Sequence, residues 1–178
     1  VLVLGSGISG LLHVKLARAQ FAGRVIAIDI NDYRLQAAKR FGADVIFDAR
    51  EDVSSRLLEI NEGRLADQVI ICTSALSAFE QAFNSVDNGG TIVFFAPTEP
   101  GIDVPVPVTD LWRREVTLMT SYGASPSDLK AALELISSAK VTVDDMITHR
   151  LGLAETGLGF KLVAEAKESL KVIVEPQR

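Results

Sequence analysis

What this sequence has little of narrows its possibilities first. It holds one cysteine, Cys72, so no disulfide can form within the chain, and a reducing, cytoplasmic setting fits. It holds two histidines, His13 and His149, few for a metal-rich site. No apolar run approaches the roughly 20 residues that a membrane-spanning helix needs. No cluster of basic residues offsets the net charge of −5, which argues against a nucleic-acid-binding face. There is no internal repeat and no low-complexity tract. What the chain does have is apolar material: 48% of its 178 residues are hydrophobic, enough to fill the core of one large domain or of a domain plus an extension.

The most informative stretch runs from Val1 to Asp29, VLVLGSGISGLLHVKLARAQFAGRVIAID. An apolar run, Val1 to Leu4, leads into Gly5-Ser6-Gly7-Ile8-Ser9-Gly10. A helical pattern follows, then a second apolar run that stops at Asp29. Strand, glycine turn, helix, strand and acid is the order that dinucleotide binding requires. Gly5 permits the sharp turn, Gly7 lets the backbone approach a pyrophosphate, and Gly10 lets the helix lie against the first strand. The helix start, Ile8 and Ser9 with Gly10, would aim free N–H groups at phosphate. Asp29, with Ile30 beside it, stands where a carboxylate accepts both hydroxyls of an adenosine ribose and repels a 2′-phosphate. The expected cofactor is NAD rather than NADP. Arg34, five residues beyond Asp29, is in reach of the same ribose or its phosphate.

The first helix is expected over about 8–21 with two apolar stripes, Ile8, Leu12, Leu16 and Ala19 on one and Val14, Ala17 and Phe21 on the other. His13 lies mid-helix without a partner in its motif and reads as a packing or surface residue. Asn31 or Asp32 caps the second helix. Strands follow at 45–47, at 68–72 ending on Cys72-Thr73, and at 91–95, with Asp87-Asn88-Gly89-Gly90 as a turn. Cys72 reads as a small buried residue that no histidine or base accompanies. Four prolines make 97–108 an extended loop. A sixth strand at 116–120 precedes a helix capped by Ser125 and carrying Leu129, Leu133 and Ile136 inward. The expected fold is α/β, a doubly wound six-stranded parallel sheet of order 3-2-1-4-5-6 over residues 1–140. Residues 141–178 form a separate unit of strand, helix and strand. Val1 lies inside the first core strand and is not Met, so the expectation is a fragment of a longer protein.

These segments together resemble the medium-chain dehydrogenase/reductases, in particular the zinc-dependent alcohol, sorbitol and threonine dehydrogenases. GSGISGLLHVKLA is similar to their glycine turn and first helix, VIAIDINDYRLQAAKRFGAD to their second strand and helix, and GGTIVFF to their fifth strand. ITHRL and SLKVIV resemble their C-terminal segment. The resemblance implies an oxidoreductase passing hydride between an alcohol and NAD. It implies that Asp29 holds the adenosine ribose and that Phe95 and Ala96 meet the nicotinamide carboxamide through their backbone. Lys171 would reach the pyrophosphate. It also implies that the zinc and most of the substrate pocket belong to another domain, that 141–178 would complete that domain, and that the chain alone is inactive. Two subunits would pair through the strand at 116–120. A short-chain dehydrogenase would need Tyr-x-x-x-Lys, but Tyr33 is followed by Ala37 and Tyr122 by Pro126. A non-enzymatic nucleotide-sensing domain is the alternative, to be decided by zinc ligands upstream in the parent gene.

Overall fold

The alternation of apolar runs and helical patterns resolves, in a computed structural model that describes residues 1–177, into one parallel sheet with a helix before each new strand. The order along the chain is β1 (Leu2–Leu4), α1 (Ile8–Ala19), β2 (Ile26–Asp29), α2 (Asp32–Arg40), β3 (Val45–Asp48) and α3 (Val53–Ile60). It continues with β4 (Ala66–Ile71), α4 (Leu76–Ser85), β5 (Val86–Phe94), α5 (Val108–Arg113) and β6 (Thr117–Thr120). The strands lie in the order β3-β2-β1-β4-β5-β6, every neighbouring pair parallel. That is the expected doubly wound sheet. Strands covered on both faces carry apolar residues without alternation, and β1 and β2 are buried at every position. Leu2, Leu4, Ile28, Val69, Ile71 and Ile92 meet Leu57, Phe79 and Phe83 from the helices in one core. Each such side chain contributes about 1.5–3 kcal/mol of burial.

Several local expectations need correction. Helix α1 ends at Ala19, and Phe21 follows in a left-handed conformation, φ 60°, almost fully exposed. Its buried face is Gly10, Leu11, Val14 and Lys15, while Leu12 and Leu16 are partly exposed. The close approach at Gly10 sets the helix rotation and overrides the stripe that apolarity alone suggests. Residues 87–90 are not a free turn. Val86–Phe94 is one strand that shifts register against β4 between Ala66 and Gln68, and Gly89 takes φ 70° within it. The Arg114 side chain donates to the carbonyls of Phe83 and Val86 and its own carbonyl accepts from Gly89 N–H, which ties this stretch down.

The second compact unit begins at Ala124, so α6 (Pro126–Ser137) groups with it, whereas the sequence suggests a division after residue 140. Ser125 and Asp128 form a reciprocal capping box at its start. Leu129, Leu133 and Ile136 share one face as their spacing implies, but that face is exposed among the described residues rather than turned inward. Beyond it β7 (Ile147–Gly152), α7 (Thr156–Glu165) and β8 (Lys171–Glu175) make a two-stranded parallel sheet joined by a helix.

Candidate functional site: the crevice at the ends of β1 and β4

In a sheet of this order the chain leaves β1 on one side toward β2 and returns to its other side as β4. The two connections diverge, and a crevice opens beyond the carboxyl ends of the strands. Leu4, Gly5 and Gly7 line it from β1 and the turn. Ile28, Asp29, Ile30 and Arg34 line it from β2 and α2, Ala49 from the end of β3, and Cys72, Thr73, Ala75, Ser77, Ala78 and Gln81 from β4 and α4.

The three glycines are there for different reasons. Gly5 takes φ 91°, and a Cβ on it would meet the Cys72 carbonyl at 3.1 Å. A Cβ on Gly10 would stand 1.8 Å from Gly5 O, so α1 can lie this close to the turn only with glycine there. Gly7 is the opposite case: nothing lies within 4 Å of where its Cβ would be, which leaves open space at the N-cap of α1. No side chain caps that end, no acid occupies the first turn, and the first helical bond runs from Leu11 N–H to Gly7 O at 2.9 Å. The N–H groups of Ile8, Ser9 and Gly10 therefore lie ahead of the first helical bond, an arrangement suited to an anion.

Across from Gly7, Asp29 is buried with its carboxylate held on both oxygens. Ser6 N–H donates to Oδ2 at 2.7 Å and Asn31 N–H to Oδ1 at 2.9 Å. A carboxylate has about four acceptor positions, so two remain. Asn31 also caps α2 through Arg34 N–H, which brings Arg34 alongside, its Nη1 3.9 Å from Asp29 Oδ2. Arg34 Nε is buried and meets no acceptor among the described residues. Open space at Gly7, a fixed acid with acceptor positions to spare, and an unsatisfied guanidinium N–H fit the phosphates and ribose of a dinucleotide.

The histidine at 13 packs within the fold, one of the two roles its sequence position suggests. His13 Nδ1 bonds Ser9 O at 2.8 Å, its ring meets Phe95 edge-on at 4.6 Å, and Cys72 Sγ lies 3.5 Å from Nδ1. Cys72 thus does have a histidine beside it. Burial disfavours the charged form of both groups. Burial lowers the His13 pKa, against the bond to Ser9, and burial pushes the Cys72 thiol up to about 12. With Nδ1–H spent on Ser9 O, that nitrogen cannot accept the thiol proton.

Phe95 and Ala96 follow β5 and both donate their N–H to Ile71 O, at 3.2 and 2.9 Å. They line a neighbouring apolar hollow with Phe79, Phe94, Thr120 and Tyr122. Lys171 lies in the second unit as the exposed first residue of β8, its carbonyl accepting from Thr148 Oγ1. His149 lies on β7 with Thr148 Oγ1 at 3.0 Å. Among the described residues no three of His, Cys, Asp and Glu cluster as metal ligands. These side chains do not fit a zinc site. Ser6, Ala49 and Gln81 had no sequence signal as site residues, since the turn, the end of β3 and the middle of α4 bring them in.

A family model described as zinc-binding dehydrogenase matches residues 9–138. The chain belongs to the zinc-binding dehydrogenase family. Within it, the chain is similar to sorbitol dehydrogenase 1 of Saccharomyces cerevisiae, 29% identical over 98% of this chain and 50% of that one. It spans about half the length of the curated relatives it matches. An alcohol dehydrogenase from Thermotoga maritima superposes with TM-score 0.88 at 27% identity, over 97% of this chain and 48% of that one. A protein of Sinorhizobium meliloti 1021 described as a zinc-binding dehydrogenase and solved bound to NADP gives 0.87 at 26%, over 98% and 52%.

Proposed function

We propose that this chain is the cofactor-binding half of a zinc-dependent dehydrogenase that moves hydride between a secondary alcohol or polyol and NAD. The observation that carries the reading is the crevice itself, with open N–H groups at Gly7 facing an anchored Asp29 whose carboxylate keeps two acceptor positions. In this reading the first turn of α1 takes the pyrophosphate and Asp29 the ribose hydroxyls. Arg34 lies beside the ribose, and Ile30, 65% exposed, offers an apolar face to the base. Cys72 and Thr73 form the floor, and the hollow at Phe95 and Ala96 takes the nicotinamide, which supplies the hydride acceptor when bound. Lys171 reaches the pyrophosphate in the full-length enzyme. Zinc, substrate pocket and turnover belong to the remainder of that protein, whose domain residues 141–178 complete. A homodimer through β6 and a cytoplasmic location belong to the same proposal.

The relative solved with NADP makes discrimination by Asp29 the point to test. Calorimetric titration of the chain with NAD and NADP should give tighter binding of NAD, and Asp29→Ser should narrow the gap. Equal or tighter NADP binding by the unaltered chain would refute the role given to Asp29.

A further inference from the structure

Gln81 stands where α4 faces the end of β3. Its Nε2 donates to Ala49 O at 2.6 Å, and Ala49 N–H in turn donates to Asp29 O at 3.0 Å. One residue, Ala49, thus links the acid at the end of β2, through its N–H, to a side chain arriving from the other half of the sheet, through its carbonyl. The bond also fixes the amide orientation, because the atom facing a carbonyl oxygen must be the NH2. Gln81 lines the crevice, is half-buried, and its Oε1 accepts no hydrogen bond among the described residues. Gln81 is thus a polar acceptor in a crevice that Ile30, Ala49, Ala75, Ser77 and Ala78 also line.

We infer that Gln81 reads the purine of the dinucleotide, its Oε1 accepting from the 6-amino group of adenine. The inference rests on the dinucleotide reading above and extends it to the base. With phosphate at Gly7 and ribose at Asp29, the base lies on the side of Asp29 remote from Gly7, which Ala49 and Gln81 close. A 6-amino group donates to Oε1. A 6-oxo group presents a second acceptor to it, and the amide cannot turn its NH2 inward without breaking the bond to Ala49 O, which would leave that carbonyl without its donor. Ile30 meets any purine face alike, so selection falls to this one acceptor.

The probe is nicotinamide hypoxanthine dinucleotide, in which a 6-oxo group replaces the 6-amino group and N1 carries a hydrogen. The unaltered chain should bind NAD about tenfold more tightly than the hypoxanthine analogue, the size of one neutral hydrogen bond made or lost. Gln81→Met and Gln81→Leu should bind the two within about twofold of each other, by titration calorimetry, with the fold checked by circular dichroism. Equal affinities in the unaltered chain overturn the inference whether or not the variants fold. So does a variant in which both affinities fall but their ratio persists, since that marks Gln81 as a strut between α4 and β3. Failure of both dinucleotides to bind the unaltered chain would instead bring down the cofactor reading and this inference with it.

Discussion

His13 shows how one side chain can couple stability to acidity. Its ring is held neutral by burial against Phe95 and Cys72, so its folded pKa lies below the ordinary 6.5. Below that value the unfolded chain binds the proton more readily than the folded one, so the contribution of a neutral His13 is present above pH 6.5 and drains away as pH falls through the folded value. Thermal unfolding should therefore show a falling midpoint from about pH 7 to about pH 5. His13→Met should flatten part of that slope, and a slope identical in the two proteins would remove His13 from the account. Nothing at the sequence level announces this contact. His13 and Cys72 are 59 residues apart, and only the pairing of β1 with β4 brings them together. Asp29 is different: its place at the end of an apolar run, after a glycine turn, is legible because strand ends and turn glycines are local features.

At the level of elements, the contact between Gly10 and Gly5 decides where α1 sits. A methyl group at residue 10 would fall 1.8 Å from the Gly5 carbonyl oxygen, a backbone atom that cannot swing aside, with a Val3 methyl 3.3 Å away. Gly10→Ala should cost at least about 3 kcal/mol in denaturant unfolding, at the upper end of overpacking penalties, and should weaken dinucleotide binding with it. A variant as stable as the parent would show that α1 can withdraw freely. This contact also explains what periodicity misses. Apolar spacing groups residues on a face, but it does not say which face is covered. For α1 the tight glycine contact turns Leu11 and Val14 inward instead of Leu12 and Leu16. For α6 the Leu129, Leu133 and Ile136 face is as amphipathic as expected and is left exposed. Element order, by contrast, was readable throughout the sheet, because each buried parallel strand is a short apolar run between breakers. The exception was the start of β5, where Asp87-Asn88-Gly89-Gly90 does turn, Gly89 at φ 70°, but as a bulge within the strand, tied down by Arg114, an anchor remote in sequence.

For the whole molecule, β6 is an outer strand of the sheet and its four residues are exposed, Leu118 and Met119 among them. Trp112 nearby is 76% exposed. An apolar edge of this kind invites strand pairing, and this is the route for the proposed dimer. Ser121 N–H donates to Phe94 O, so by alternation the N–H groups of 119 and 117 also face β5 while that of Leu118 points away from it. Leu118→Pro should thus remove an outward donor and spare the ladder to β5. Light scattering should find the unaltered chain at twice 19.2 kDa and the folded variant at the monomer mass. A dimer that survives in the folded variant would exclude this edge.

The position of β1 has a consequence for how the chain is made. β1 precedes every other strand in the chain yet lies in the interior of the sheet, with β2 on one side and β4 on the other. While β2 is available soon after, the second side stays open until Ala66–Ile71 has been synthesised. For the time that takes, a nascent chain carries a naked apolar strand with unpaired amides. Parallel pairing across such a separation is slow to form, so early arrest of synthesis yields a sticky half-sheet rather than a small folded domain. A ribosome stalled before β4 emerges presents a substrate for chaperones; one stalled after it presents a strand already sealed on both sides.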